Sequence, residues 1–176
     1  MTDPYAGLTA EFTDHLHELI GNCLMAGVTM HPYFGLRHPR VQAKLWRQSR
    51  SAAEIAEGRA KLAAGNAPFL LKCLDDAGPS RGPWATNALP GESWHQYGEA
   101  MDCVWIRNGV EEWSADIDGD ANGYRVYASE AAKLGMTTLG SIGDWGHVQI
   151  PAASSPLKQY TLEQIDGIMK AKFAGL

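Results

Sequence analysis

Three side chains are of the types that hold a catalytic metal ion. His95 and Asp102 stand seven residues apart in the segment Ser93-Trp-His-Gln-Tyr-Gly-Glu-Ala-Met-Asp102, and His147 follows 45 residues later in Asp144-Trp-Gly-His-Val-Gln. A catalytic zinc ion takes three nitrogen or oxygen ligands from the protein and leaves one position open for water. His95, Asp102 and His147 would supply that set if one sheet brings Asp102 and His147 together.

Two predicted strands must position these side chains. Residues 100–106 mix apolar residues with Asp and Trp, as in a partly buried strand, and residues 145–150 form a short strand ended by Pro151. Side chains alternate along a strand, so Asp102 and Cys103 point to opposite faces. Cys103 is therefore predicted to pack in the core and not to act as a fourth ligand.

The remaining elements are mostly helical. Apolar residues recur at helical spacing in several segments, and Ser51/Glu54 and Thr161/Gln164 have the spacing of capping boxes. The pattern predicts helices over 12–24, 51–64, 68–74 and 124–134 and from 161 onward, a further strand over 41–49, and loops over 78–92 and 113–123.

The order of these elements indicates the fold class. Helices and strands are interspersed without the β-α-β cadence of a parallel sheet, which favours an α+β fold. We expect one catalytic domain over residues 1–176, with the metal-site core in 41–150 and helices from both termini packed on it.

Composition excludes several classes of protein. The 176 residues are 45% hydrophobic and 20% charged, with a net charge of −5. These values argue against a disordered chain and against a nucleic-acid binder, which normally has a basic face. No apolar run approaches the roughly 20 residues of a membrane-spanning helix. Three widely spaced cysteines and no visible secretory signal lead us to expect reduced thiols in a protein made in the cytoplasm.

The two histidine motifs carry a family resemblance. The pattern Ser-x-His-x-x-Gly-x-Ala-x-Asp, followed some 45 residues later by Asp-x-x-His-Val, resembles the zinc-binding sequence of the LAS metallopeptidases. That family includes D-Ala-D-Ala carboxypeptidases and dipeptidases, and the L-alanyl-D-glutamate endopeptidases of phage endolysins and bacterial cell-wall enzymes. The five fixed positions of the first motif are matched by Ser93, His95, Gly98, Ala100 and Asp102.

The resemblance implies a fold and a set of roles. It implies a small antiparallel sheet that carries the zinc site, with helices packed around it, as in LAS and hedgehog domains. His95, Asp102 and His147 would hold Zn²⁺. Asp144 would take the place of the family's general base, because the attacking water must lose a proton and the leaving amine must gain one. The D-Ala-D-Ala enzymes usually carry Glu at this place and the endopeptidases Asp, so Asp144 favours the endopeptidases.

Further site residues follow from the same resemblance. Arg50 lies in a segment similar to the family's arginine-bearing segment, where a guanidinium can bind a substrate carboxylate or a developing oxyanion. The usual tyrosine before it is missing, and Arg47 is a rival for this role. Ser93 is expected to contact the substrate or a ligand, unless it is a plain turn residue. Trp145 is expected to line the substrate cleft, although large aromatics are more often packing.

A second metal site is predicted in an acidic loop. Asp116, Asp118, Asp120 and Asn122 precede Gly123 with oxygen-bearing side chains at alternate positions, as in the first half of an EF-hand. The bidentate glutamate that would close such a loop is displaced by one position, at Glu130. The loop either binds Ca²⁺ in a non-standard way or is a solvated turn at a helix N-terminus.

These observations favour a zinc-dependent peptidoglycan hydrolase that cleaves a stem-peptide amide bond, most favourably the L-Ala–D-Glu bond. The alternatives are a D-Ala-D-Ala carboxypeptidase, a non-catalytic zinc-bearing binding module, and a calcium-binding structural protein. The expected partner is bacterial peptidoglycan, with no nucleic acid and no membrane insertion, and we expect a monomer. An enzyme made in the cytoplasm would reach the wall through a holin or an export machine.

Overall fold

The computed structural model describes residues 3–173 and 175, which form two compact units. The first unit combines the described residues of Met1–Leu36 with Tyr97–Ala152, and the second combines Arg37–Gln96 with the described residues of Ala153–Leu176. The predicted α+β class is confirmed, whereas the single domain over 1–176 stays a prediction.

Helices and strands alternate irregularly along the chain. In chain order they are α1 (Ala10–Met25), β1 (Thr29–Phe34), α2 (Pro39–Arg47), α3 (Ala52–Ala64), α4 (Pro68–Asp76), β2 (Ala100–Arg107), β3 (Val110–Glu112), α5 (Gly123–Lys133), β4 (Thr137–Leu139), β5 (Asp144–Gln149) and α6 (Leu162–Phe173). None of the helices in the described part of the chain has the length and apolarity that crossing a bilayer requires.

The sheet belongs to the first unit and is antiparallel at every pairing between its described strands. Its strand order is β1-β2-β5-β4, and β3 pairs with the C-terminal half of β2. β2 is therefore the strand around which the sheet is built. The strands predicted over 100–106 and 145–150 are confirmed, and so is the small antiparallel sheet.

The core of the first unit lies between α1, α5 and one face of the sheet. Phe12, Leu16 and Leu19 of α1 are fully buried there. From β2 the alternate residues Met101, Cys103 and Trp105 join the same core, as period-two alternation requires. The prediction that Cys103 packs in the core is confirmed.

The three cysteines are buried free thiols. Burial raises the pKa of Cys103 to about 12 and the pKa values of Cys23 and Cys73 to about 11. A thiol reacts and binds metal through its thiolate. These side chains therefore remain protonated at neutral pH and act as small apolar residues.

The second unit is helical. Ser51 accepts a hydrogen bond from the Glu54 backbone N–H, and the Glu54 carboxylate accepts one from the Ser51 N–H, which confirms the capping box of α3. Thr161 and Gln164 make the same reciprocal bonds at the start of α6. Each pair satisfies two N–H groups that have no partner inside the helix.

The strand predicted over 41–49 is wrong, because these residues form α2. His38 Nδ1 accepts a hydrogen bond from the Arg40 N–H as the N-cap, and Pro39 occupies the first turn, where its missing N–H costs nothing. The buried residues of the helix lie on one face: Pro39, Gln42, Ala43 and Trp46. The alternation of Val41, Ala43 and Leu45 with polar residues imitates a strand, but only Ala43 of these three is buried in the helix.

Three strands and one helix face also differ from the prediction. β1, β3 and β4 were not predicted, and two of them are only three residues long. In α6 the helical spacing of the apolar residues predicts that Ile165, Ile168, Met169 and Phe173 face the core; Ile165, Met169 and Phe173 are buried, but Ile168 is 36% exposed. Short strands lack enough alternating residues to give a periodic signal.

Gly98 holds the start of β2 against the segment before α1. Its φ is +79°, and a Cβ there would lie 2.5 Å from the Gly7 carbonyl oxygen. Its own carbonyl accepts a hydrogen bond from the N–H of Thr9, the N-cap residue of α1. Gly109 has a similar φ of +80°, but a Cβ there would have no described atom within 4 Å and so would meet no such crowding.

We expect Gly98→Ala to destabilise the fold more than the matched control Gly109→Ala. Positive φ alone costs an alanine about 1 kcal/mol, and the collision at Gly98 should raise its total to about 3 kcal/mol. Urea unfolding of the two variants and the wild type measures the difference. Equal losses would contradict a close backbone approach at Gly98.

Candidate metal centre

Asp102 and His147 face each other on neighbouring strands. β2 and β5 pair antiparallel, and the Cα atoms of Asp102 and His147 are register partners. Side chains that are directly opposite project from the same face of a sheet. His147 Nδ1 lies 3.2 Å from Asp102 Oδ1. The sheet thus brings together two of the three predicted ligands.

His95 completes the group of three. It lies in the short 3₁₀ helix Trp94–Gln96 and is 2% exposed. One ligand atom from each of His95, Asp102 and His147 lies within 4.8 Å of the others.

The donor set suits a divalent ion. Two imidazole nitrogens and one carboxylate oxygen are ligands that zinc and other divalent transition metals accept, and three protein ligands leave a position for water. The Asp102 side chain is 29% exposed, whereas His147 is almost completely buried. The arrangement therefore fits a metal ion that remains accessible from the carboxylate side.

The charge around His147 favours its protonated form when no metal is bound. Burial by itself would lower its pKa, but the hydrogen bond and the negative charge of Asp102 raise it above the ordinary value. Smaller contributions in the same direction come from the Gln149 side chain and from the charge of Asp144. A metal ion binds the ring only at a nitrogen that has lost its proton, so the raised pKa opposes metal binding at low pH.

Asp144 begins the ligand-bearing strand and is exposed. On the β4 side, Thr138 pairs with Val148 but the next residue, Leu139, pairs with Asp144, so residues 145–147 have no register partner there. Such an irregularity redirects side chains. The separation of three residues therefore does not force Asp144 and His147 onto opposite faces, and the charge of Asp144 acts on His147.

Gly146 allows the two ligand-bearing strands to approach. A Cβ at this position would lie 2.6 Å from the carbonyl oxygen of Cys103, the residue after Asp102. Any side chain would push β5 away from β2. The glycine before His147 is thus required by the register that sets the Asp102–His147 pair.

Ser93 and Trp145 have contacts of their own. The Ser93 carbonyl accepts a hydrogen bond from the Gln96 N–H, which closes the turn that carries His95. Trp145 is half-buried, packs against the core of the first unit, and has the Arg125 guanidinium 5.1 Å from its ring centroid. Substrate contacts by either residue stay a prediction.

The two candidate arginines differ in what they bind. Arg47 donates from NH1 to the Leu74 carbonyl at 2.7 Å, close to the end of α4. Arg50 has a side chain that is 4% exposed, lies 3.3 Å from the Trp84 ring centroid, and donates from NH2 to the Thr86 carbonyl at 2.8 Å. Its NH1 atom has no hydrogen-bond partner among the described residues.

A cavity of about 460 Å³ in the second unit is lined by Arg50. Trp46 and Leu89 form apolar parts of its wall, and Lys61 and Glu92 form an ion pair at 2.6 Å in it. The unsatisfied NH1 of a buried guanidinium is costly unless an acceptor is present. Glu54, whose carboxylate lies 4.0 Å from Arg50 Nε, and Glu57 also line the cavity.

Two of the predicted calcium ligands in the acidic loop have protein partners of their own. Asp118 forms an ion pair with Arg107 at 2.8 Å. Asn122 caps α5 through its side-chain oxygen and donates its amide hydrogens to the carbonyls of Ser114 and Ile117. Asp116 begins the segment, and the side chain of Asp120 lies outside the described part of the structure. Calcium binding by this loop stays a prediction.

Gln149 contacts the metal centre but is not among the residues predicted from the sequence. Its Oε1 lies 3.0 Å from His147 Nε2, and the glutamine is 1% exposed. The signal was present in the sequence, because a period of two places residues 147 and 149 on the same face of a strand. Strand alternation alone, however, does not distinguish a glutamine that contacts a metal ligand from one that faces solvent.

The family of the chain follows from its sequence match. Residues 6–137 match the family model VanY, D-alanyl-D-alanine carboxypeptidase, and the chain belongs to this family. The match includes His95 and Asp102 and ends before Asp144 and His147. Membership identifies the protein as a peptidase and confirms the resemblance to the LAS metallopeptidases.

The chain is also similar to a solved structure. The crystal structure of the Serratia marcescens L-Ala D-Glu endopeptidase ChiX matches it with 18% sequence identity and a TM-score of 0.43, over 84% of each chain. No curated protein matches the chain.

We expect Asp102→Asn to lower the pKa of His147 in the metal-free protein, because the amide removes the charge that outweighs burial. NMR titration of the imidazole in the presence of a chelator measures this pKa, with the exposed Asp14→Asn as the matched control.

The raised pKa of His147 determines how the stability of the metal-free fold and the affinity for metal change with pH. A pKa raised in the folded state stabilises the metal-free fold at low pH, and this contribution is lost as the pH rises through the folded pKa. Metal binding needs the neutral ring and should strengthen over the same rise. An unchanged pKa in Asp102→Asn would contradict the assigned cause.

Proposed function

We propose that the protein is a zinc-dependent peptidase that hydrolyses an amide bond in the stem peptide of bacterial peptidoglycan. The observation that carries this proposal is the grouping of His95, Asp102 and His147 within 4.8 Å in a chain of the VanY family. A zinc ion held by these side chains would supply a Lewis acid that activates water and polarises the scissile carbonyl.

Asp144 is the residue that we assign to proton transfer. Its carboxylate is exposed at the start of β5 and close enough to His147 for its charge to raise the pKa of that ring. In this role it takes a proton from the attacking water and returns it to the leaving amine. A non-catalytic binding module would have no need of this carboxylate.

The L-Ala–D-Glu bond is our first choice of substrate bond. The support is Asp144, since the LAS endopeptidases usually carry Asp at this position and the D-Ala-D-Ala enzymes Glu. The second candidate is D-Ala-D-Ala carboxypeptidase activity, which is favoured by the description of the family model that matches the chain.

Arg50 is the residue that we assign to a carboxylate of the substrate. Its buried guanidinium lines a cavity of about 460 Å³ and has an NH1 donor without a partner among the described residues. Stem peptides carry free carboxylates, and a guanidinium binds these more specifically than an ammonium does.

We expect the protein to digest purified peptidoglycan and to lose this activity in a chelator, with recovery on added Zn²⁺. Endopeptidase cleavage leaves a new amino terminus on D-Glu, whereas carboxypeptidase cleavage releases free D-Ala, so mass spectrometry of the products distinguishes the two bonds. Activity that survives complete chelation would contradict the proposed zinc dependence.

Asp144→Asn should lower kcat about 10²- to 10⁴-fold, the usual contribution of a general base. The metal content should stay near that of the wild type, because the three ligands remain. Asp14→Asn on α1 is the control for loss of an exposed aspartate. Full activity of Asp144→Asn would remove this carboxylate from the mechanism.

Arg50→Lys should raise KM about tenfold or more, because lysine cannot bind a carboxylate through two parallel hydrogen bonds. Arg47→Lys is the matched control and should lower stability without raising KM, since Arg47 binds the Leu74 carbonyl. The reverse pattern would transfer the binding role to Arg47.

A further inference from the structure

We propose that Gln149 is a positioning residue that fixes the tautomer of His147 and thereby presents Nδ1 to the metal ion. The proposal rests on the metal site of the proposed function, but it concerns a residue that is not a ligand. All of the residues that carry it, Gln149, His147, Asp102 and Pro151, belong to the first unit.

The orientation of the Gln149 amide is set by Pro151. Gln149 Nε2 donates a hydrogen bond to the Pro151 carbonyl oxygen at 2.6 Å. A carbonyl oxygen can only accept, so the NH₂ end of the amide must face it. The other end, Oε1, is therefore the one that faces His147, at 3.0 Å from its Nε2 atom.

The orientation of the amide determines the protonation of the ring. An amide oxygen only accepts hydrogen bonds, so the Gln149 Oε1 atom stabilises the forms of the ring in which His147 Nε2 carries a hydrogen and donates it. The other ring nitrogen, Nδ1, faces Asp102 Oδ1 at 3.2 Å and donates its hydrogen to that carboxylate when no metal is bound. A metal ion held by both side chains would replace this hydrogen and leave the one on Nε2 in place, so the ring would bind the metal through Nδ1 beside the carboxylate ligand.

The backbone around Gln149 keeps the amide in place. Gln149 pairs with Ala100 of β2 on one side and with Thr137 of β4 on the other. With only 1% of the residue exposed, water cannot readily replace the glutamine as the acceptor for Nε2–H. Removing a buried partner of a metal-bound histidine typically costs about 10- to 100-fold in metal affinity.

Two substitutions of Gln149 separate tautomer control from simple packing. Gln149→Met removes the hydrogen bonds to Pro151 and His147 at similar volume. Gln149→Glu also loses the donor to Pro151 but keeps an oxygen acceptor for His147 Nε2–H. Gln42→Met is the matched control, because Gln42 is another fully buried glutamine and bonds to Arg37, Thr86 and Ala88.

The measurement is the affinity for Zn²⁺ alone, by competition with a chromophoric chelator, together with the melting temperature of each metal-free variant. We expect Gln149→Met to bind Zn²⁺ at least tenfold more weakly than the wild type, and Gln149→Glu and Gln42→Met to bind within about threefold of it. A purely structural role predicts equal losses in Gln149→Met and Gln149→Glu, which both lose the Pro151 bond, and that result would overturn the inference.

Nitrogen-15 NMR of the zinc-loaded wild type tests the tautomer directly and does not depend on any variant folding. We expect the His147 signals to show Nε2 protonated and Nδ1 bound to the metal. Metal on Nε2 would overturn this inference and leave the peptidase intact. A wild-type protein that binds no Zn²⁺ would overturn both the inference and the proposed zinc dependence.

Discussion

The pairing of β2 with β5 is the constraint on which the metal centre depends. Asp102 and His147 become partners because the two strands meet in one register. A shift of one residue would turn His147 to the opposite face of the sheet, towards the core formed with α1 and α5. The register is specified on both faces, since Met101, Cys103 and Val148 are buried apolar residues on the other side. Core packing and ligand placement are thus two results of the same alternation.

Gln149 is a third side chain whose position depends on the pairing of β2 with β5. Strand alternation places Gln149 beside His147. The carbonyl of Pro151, two residues after the end of β5, orients the Gln149 amide. A buried hydrogen bond in a low-dielectric environment holds its partners strongly, and an unmade one is correspondingly costly. The His147 imidazole is therefore controlled by the side chain of Gln149, two residues further along the chain, and by the backbone carbonyl of Pro151, four residues further along.

Much of this architecture could be predicted from the sequence where the signals were local and strong. The capping boxes at Ser51 and Thr161 marked two helices correctly, and the histidine motifs indicated the residues that the structure groups. The strand prediction for 41–49 is wrong because Val41, Ala43 and Leu45 alternate with polar residues, whereas the cap at His38 and the buried face of α2 follow helical spacing. The role of Gln149 could not be predicted, because it depends on the direction of an amide that only the Pro151 carbonyl decides.

Gly146 has a consequence for how the two ligands respond to change elsewhere. Because a Cβ at this position would lie only 2.6 Å from the Cys103 carbonyl oxygen, main chain rests directly on main chain beside the Asp102–His147 pair. Backbone atoms therefore set the spacing of the two strands at this point, whatever side chains fill the core. A core substitution that lowers the melting temperature but preserves the register thus leaves the spacing between the two ligands unchanged.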